Sequence, residues 1–142
     1  MKKLILEPIG VVVESPWQET RQAPRQGPAR GAESVIEIDP AWAPALEGLE
    51  PGRYLWVLGH FHRCREPQVR VRPRGDPRRP LTGLFNTRTP HRPCPISLTL
   101  VELLERQGGR LRVRGLELVS GTPILDLKPY VPGIDRPRKK VI

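Results

Sequence analysis

Prolines and glycines are spread along the whole chain, and their density limits what it can fold into. The 142 residues include 18 prolines and 13 glycines. A proline inside a helix removes a backbone hydrogen bond and clashes with the preceding turn, so long helices are disfavoured over most of the sequence. The sequence therefore predicts a mostly-β domain with one or two short helices.

Alternation of apolar and polar residues marks the strand candidates. In residues 34–40, Val35 and Glu37 alternate with Ile36 and Ile38, the pattern of a half-buried strand. Many short strands with frequent turns favour a barrel, which leaves no exposed sheet edge. Further strands are predicted near residues 5–15 (apolar set Ile5, Ile9, Val11 and Val13), and in 53–63, 67–75, 83–87, 110–119 and 122–131.

Two helices are predicted, and the stronger candidate is residues 97–109. It has a serine or threonine cap, apolar residues at 100, 101, 103 and 104, and a double-glycine stop at Gly108 and Gly109. The weaker candidate is residues 43–49. The length suits one domain over residues 1–142, with a polar loop at 15–33 and a basic C-terminal tail at about 133–142.

The charge balance points to a polyanionic partner. Lysine and arginine number 24 against 15 acidic residues, for a net charge of +9 and a pI near 10.5. Such a balance favours nucleic acid first and a membrane surface second. No apolar run approaches the roughly 18 residues of a membrane span. The apolar stretch at the N-terminus breaks at Glu7 and Pro8, too early for a signal peptide, so a cytoplasmic location is predicted.

Common catalytic and metal motifs are absent from the sequence. It contains no phosphate-binding loop, no GxGxxG, no GxSxG and no HExxH. His60 and His62 would share one face of a strand, but a third ligand is not evident, and no metal site is predicted. Cys64 and Cys94 have neither zinc-ligand spacing nor the number needed for a disulfide framework.

Polar clusters lie instead at the ends of the predicted strands. They occupy residues 24–26, 60–63, 84–97 and 115–132, and each combines cations or amides with a proline-stiffened backbone. Loops gathered at one rim of a barrel are common binding sites. The sequence therefore predicts a binding site built from these loops.

Two of these clusters carry specific motifs. They read GLFNTRTPHRPCPISLTLVEL at 83–103 and LELVSGTPILDLKPYVPGID at 116–135, and LEGLEPGRYLWVLGHFH stands at 46–62. Together with IGVVVESP, PRQ and VRPRG at matching spacing, they resemble the TsaA-like (TrmO) methyltransferases over nearly the whole chain. That resemblance implies S-adenosyl-L-methionine-dependent methylation of N6 of threonylcarbamoyladenosine at position 37 of tRNA.

The resemblance also implies a small single-sheeted β-barrel that works as a homodimer, with the methyl donor in a rim pocket near the dimer interface. No catalytic residue is assigned from the resemblance. Arg92, Asp126, Lys128 and Tyr130 are the candidate substrate-binding residues. The implied donor-binding residues are Pro24, Arg25, Gln26, His62, Arg63, Arg88, Leu98, Arg114, Gly115, Leu116 and Glu117.

The chain differs from the family's usual pattern inside these motifs. Cys94 replaces an asparagine, Ser97 a glycine and Ser120 an aspartate, while Glu117 stands for an aspartate. Two other functions therefore remain open: a methyltransferase of this fold acting on a small molecule, and a non-catalytic RNA-binding or ligand-sensing barrel. The arginines at 65, 70, 72, 74, 78 and 79 are either phosphate contacts or a solvated charged edge.

Overall fold

The computed structural model of the protein describes residues 1–19, 22–24, 27–64 and 66–139. Six antiparallel strands close into a barrel, in the order β1-β2-β7-β6-β3-β8. Two further strands, β4 and β5, form a separate two-stranded sheet. The strands are β1 Gly10–Glu14, β2 Glu33–Ile38, β3 Tyr54–His60, β4 Arg70–Val71, β5 Thr82–Gly83, β6 Ile96–Gln107, β7 Arg110–Arg114 and β8 Pro123–Pro129.

Aliphatic side chains that point inward from every barrel strand form the core. Ile36, Leu55, Leu103, Leu111 and Ile124 are essentially inaccessible to solvent. Each is flanked by residues that face outward, as the two-residue period of a strand requires. The prediction of a mostly-β domain closed into one barrel is therefore confirmed.

The predicted helix at residues 97–109 is wrong, because this segment is the long strand β6. Its inward positions are Ser97, Thr99, Val101 and Leu103, which are 3%, 3%, 1% and 0% exposed. The outward positions 98 and 100 are leucines, so apolar residues on both faces hid the alternation and imitated a helical stripe. The double glycine that was expected to end a helix is the two-residue turn of the β6–β7 hairpin.

Several smaller expectations are also corrected. In β1 the buried residue is Val12, while Val13 faces solvent, so the apolar set predicted there had the wrong phase. Residues 84–86 form a 3-10 turn instead of a strand, and Ala43–Leu46 is likewise a 3-10 turn. The edge strand predicted at 67–75 is reduced to the two residues of β4. The described part of the basic tail contains a four-residue helix, α1 Pro132–Asp135.

The outside of the barrel has two contrasting walls. On β1, β2, β7 and β6, arginines alternate with glutamates in cross-strand ion pairs: Arg110 with Glu14 and Glu37, Arg112 with Glu33 and Glu105, and Arg114 with Glu102. We call this the charged ladder. On β3 and β6, apolar residues that face outward lie side by side in register, and we call them the outer apolar band: Trp56, Leu58, Ile96, Leu98 and Leu100.

Candidate functional site

A large cavity opens at the end of the barrel where β3 finishes and β6 begins. Its volume is about 800 Å³. Its walls come from segments that are far apart in sequence: residues 23–24, 61–64, 72–75, 86–90, 92, 96–98, 117–119 and 122. The polar clusters at the strand ends therefore meet around one space, within the range of about 300–1,000 Å³ that is usual for small-molecule sites.

Glu117 places a buried carboxylate in the cavity wall. Gly115 adopts a φ of 101°, which favours glycine, and turns the chain away from β7 across the barrel end. Glu117 is 8% exposed, and the Thr99 hydroxyl lies 2.7 and 2.9 Å from its two carboxylate oxygens, so it donates a hydrogen bond to the carboxylate. A ligand in the cavity would meet this carboxylate as a hydrogen-bond acceptor.

Ser97, which replaces the family's usual glycine, lines the cavity from inside the barrel. Its hydroxyl accepts a hydrogen bond from the Gly59 backbone N–H at 3.0 Å. A side chain at position 59 would meet Leu118 Cδ1 at 2.8 Å and Ser97 Oγ at 2.9 Å. The serine therefore occupies the space that a glycine at 59 leaves, and it makes the inner end of the cavity smaller and more polar.

Arg92 holds the proline-rich segment in a fixed shape. Its Nη1 donates to the backbone carbonyls of Thr87 and Thr89, at 2.9 and 3.1 Å. Its guanidinium carbon also lies 5.8 Å from the centre of the Phe85 ring. These hydrogen bonds fix the backbone on both sides of Arg88, a residue that lines the cavity. Arg92 thus positions Arg88 in addition to lining the cavity itself.

The loop after β1 is tied to two other rim segments. Arg63 donates to the carbonyl of Gln18 at 2.9 Å, and the Gln18 side chain donates to the Ser120 hydroxyl at 3.3 Å. The Ser120 backbone N–H in turn donates to the Trp17 carbonyl. Ser120, which replaces the family's aspartate, therefore has a local structural role at the rim.

Two titratable groups in the wall have shifted pKa values. Partial burial, and then the neighbouring charge of Arg63, lower the pKa of His62, so its ring is neutral at physiological pH. Burial raises the pKa of the Cys64 thiol, which keeps it protonated and a poor nucleophile. Among the described residues, the charged side chains that line the cavity are Arg63, Arg72, Arg74, Arg88, Arg92 and Glu117, so this lining is cationic.

The structure brings many of the predicted site residues together but not all of them. Pro24, His62, Arg63, Arg88, Leu98 and Glu117 line the cavity, as does the substrate candidate Arg92. Arg25 and Gln26 lie outside the described residues, as does Arg65.

The other predicted residues stand apart from the cavity lining. Leu116 is fully buried in the core, and Arg114 belongs to the charged ladder, beside Gly115. Asp126 and Lys128 form an ion pair on β8, and the ring of Tyr130 lies against that of Trp56.

Sequence analysis missed Thr99 and Thr122 as site residues. Thr99 carries the hydrogen bond to Glu117, while Thr122 lines the cavity and donates to the Val119 carbonyl at 2.7 Å. Reading residues 96–107 with a period of two would have placed Ser97 and Thr99 together on the inner face. Thr122 lies inside the motif at 116–135, but that motif does not single it out from its neighbours.

Comparison with known proteins identifies the family. The family model described as "tRNA-methyltransferase O N-terminal domain" matches residues 12–136, most of the chain. The chain belongs to this family. The resemblance seen in the sequence motifs is thereby confirmed.

Curated members of the family have related names. A "Probable S-adenosyl-L-methionine-binding protein" of Methanothermobacter thermautotrophicus is 45% identical over 130 residues, covering 92% of each chain. An "S-adenosyl-L-methionine-binding protein" of Archaeoglobus fulgidus is 42% identical and covers 93% of each. The "tRNA (adenine(37)-N6)-methyltransferase" of Escherichia coli is 38% identical over 93% of this chain and 60% of its own length.

Solved structures of the family share the fold of this chain. A crystal structure of TrmO from Pseudomonas aeruginosa superposes with a TM-score of 0.79 at 34% sequence identity. The match covers 99% of this chain and 61% of that one, so this chain spans less than two thirds of the solved protein.

Two searches of the described residues gave negative results. No three histidine, cysteine, aspartate or glutamate side chains among them are grouped so as to hold a metal ion. Within the same residues, no helix is both long enough and apolar enough to span a membrane.

Proposed function

We propose that this protein is an S-adenosyl-L-methionine-dependent methyltransferase acting on tRNA, at N6 of the threonylcarbamoyl-modified adenosine at position 37. Family membership over residues 12–136 is the observation that carries the proposal. The names of its relatives add the donor and the nucleotide. One is named an S-adenosyl-L-methionine-binding protein, one a probable S-adenosyl-L-methionine-binding protein, and one a tRNA (adenine(37)-N6)-methyltransferase. The proposed setting is the cytoplasm, where tRNA is available.

The residues around the cavity fit this donor. A cavity of about 800 Å³ is large enough for a nucleoside with an amino-acid arm. The buried carboxylate of Glu117 suits the ribose hydroxyls or the ammonium group of the donor, because it accepts hydrogen bonds and carries the opposite charge. Arg63 and Arg88, in the same wall, suit the donor's carboxylate.

The methyl donor, when bound, supplies a methyl group on a positively charged sulfur. The residues of this chain then have three tasks: to align the acceptor nitrogen, to exclude water and to stabilise charge that develops on the acceptor. The N6 nitrogen of a carbamoylated adenine is a poor nucleophile. Cationic side chains at the cavity rim would stabilise its deprotonated form, which is the better nucleophile. Arg92 is the candidate for this stabilising effect.

We further propose that the protein acts as a homodimer that buries the outer apolar band. Leu98 and Leu100 are 43% and 38% exposed on the barrel wall, and Trp56 and Leu58 pair with them across the strands. An exposed apolar patch of this kind, next to a charged surface, is typical of a protein–protein interface. Leu98 also lines the cavity, so a second copy seated on the band would lie beside the donor.

Methyl transfer by the purified chain tests the proposal. The chain is incubated with isotopically labelled S-adenosyl-L-methionine and with tRNA that carries threonylcarbamoyladenosine, and the digested nucleosides are analysed by mass spectrometry. Label on the N6 nitrogen of that nucleoside is expected. Glu117→Gln should lose most of the activity, whereas Glu102→Gln, on the charged ladder, should keep it.

The same experiment distinguishes the proposed function from the two other functions that the sequence left open. If the donor binds but label passes only to small-molecule acceptors, the substrate class is wrong. If the donor binds and no acceptor is ever methylated, the protein is a ligand-sensing barrel. If no donor binds, the donor site is wrong.

A further inference from the structure

One cationic segment lies beside the cavity without being part of the barrel. Residues 66–83, which we call the basic hairpin, contain β4 and β5, paired through Arg70 with Gly83 and Val71 with Thr82. Val71 is buried, and the backbone N–H groups of Leu84 and Gln68 donate to the carbonyls of Val69 and His91. These bonds attach the basic hairpin to the proline-rich segment that forms the cavity wall.

The basic hairpin concentrates positive charge that the barrel wall does not have. It carries five arginines, against the two acids Glu66 and Asp76. The charged ladder, in contrast, pairs three arginines with five glutamates, so that wall is net negative. A polyanion that approaches the molecule is therefore attracted to the hairpin side and repelled from the ladder.

The arginines of the basic hairpin divide into two groups. Arg72 and Arg74 line the cavity. Arg72 also donates to the Arg79 carbonyl at 2.6 Å, which holds the tip of the hairpin against its base. Arg70 and Arg79 extend their side chains into solvent. The Arg78 side chain is 89% exposed and pairs with Asp76, but exposed ion pairs are weak and a phosphate can compete for the arginine.

We infer that the basic hairpin is the docking arm for the phosphate backbone of tRNA, with Arg70 and Arg79 as its principal phosphate contacts. This inference rests on the proposed function. Arg72 and Arg74 make the hairpin part of the cavity lining, so the phosphates that flank a base entering the cavity come within reach of it. Arginine contacts to phosphates position a nucleic acid without reading its sequence. Val69 and Leu81 are also exposed on the hairpin, so an anionic membrane is the alternative that a test must separate.

The test compares an Arg70→Gln/Arg79→Gln double variant with Arg53→Gln. Arg53 is exposed at the opposite end of the barrel, just before β3, and its substitution removes one positive charge far from the hairpin, against two in the double variant. Binding of fluorescently labelled tRNA is measured over a series of salt concentrations. The logarithm of the affinity falls linearly with the logarithm of the salt concentration, and each lost phosphate contact should make this slope less steep by about one unit. The double variant should therefore lose about two units and bind about tenfold more weakly at low salt, whereas Arg53→Gln should follow the wild type.

Three further measurements make the outcome decisive. Calorimetry with S-adenosyl-L-methionine should give the same affinity for the wild type and both variants. In methylation kinetics, the double variant should show a raised KM for tRNA with little change in kcat. A double variant with the salt slope of the wild type would overturn the inference while leaving the proposed function intact. The inference would also be overturned if the double variant no longer bound vesicles of anionic phospholipid but bound tRNA as the wild type does. If the wild-type chain neither binds nor methylates tRNA, the proposed function itself fails, and the inference fails with it.

Discussion

The Thr99 hydroxyl lies 2.7 and 2.9 Å from the two carboxylate oxygens of Glu117, inside the end of the barrel. The two residues are 18 positions apart and come from different parts of the wall, one from β6 and the other from the loop after β7. Their contact holds a carboxylate in a place where it is largely shielded from water. The proposed donor site depends on this orientation, and so the first prediction concerns it.

Thr99→Val should weaken donor binding about tenfold and destabilise the fold by about 1–3 kcal/mol, because a buried carboxylate loses a charge-assisted hydrogen bond. Calorimetry with S-adenosyl-L-methionine and urea unfolding measure the two effects. Thr82→Val removes a threonine that donates to a carbonyl on the exposed hairpin, and it should leave both values near those of the wild type. Equal donor affinity in Thr99→Val and wild type would show that the orientation of Glu117 does not matter.

Gly59→Ala should destabilise the protein by about 1–3 kcal/mol, because the new methyl group overlaps Leu118 Cδ1 and Ser97 Oγ. Adding Ser97→Gly removes one of the two obstructing atoms. The double variant should therefore lose less stability than the two single variants added together. A double-mutant cycle by chemical denaturation measures this coupling, and strict additivity would contradict the contact between the two positions.

Donor affinity should fall at acidic pH through His62. Burial and Arg63 lower its pKa below the usual value of about 6.5, so the imidazole is neutral at pH 7. As the pH falls through the lowered pKa, the ring gains a charge beside cationic residues and opposes the positively charged sulfonium of the donor. Stability follows the same sign: the contribution of His62 is fully present above the unfolded pKa and is lost as the pH falls through the folded pKa.

Calorimetry between about pH 5 and 8 measures the change in donor affinity. His62→Gln should flatten the profile, whereas His91→Gln should retain the fall. A profile that His62→Gln leaves unchanged would assign the pH dependence to another group.

Leu100→Glu should convert the proposed dimer into a monomer. Leu100 lies at one end of the outer apolar band, paired with Trp56, and a charge there would be buried without a partner in the interface. Val13→Glu introduces the same charge on β1, across the barrel from β6, and should leave the assembly intact. Analytical ultracentrifugation measures the mass of each protein. A wild-type chain that sediments as a monomer would remove the dimer from the proposal.

The local alternation of apolar and polar residues was sufficient to identify the strands that have one polar face. In β2, the exposed Glu37 separates the buried Ile36 and Ile38, so alternation alone identified both the strand and its inner face. In β6 it was not sufficient, because the outer face of this strand is apolar as well, with Leu98 and Leu100 in place of charged residues. A helix and a two-sided apolar strand have similar composition over such a span, and only pairing with β3 and β7 separates them.

The sequence by itself determined the fold class, the family and the loops that carry the binding residues, because proline positions, alternation and motif spacing are local properties of the chain. The tertiary structure alone decided which of those loops meet. Closure of the barrel places Glu117 against Thr99 and Ser97 against Gly59, and attaches the basic hairpin to the cavity rim. Contacts of this kind join residues that are distant in sequence, so they depend on strand order and register, which no local pattern records.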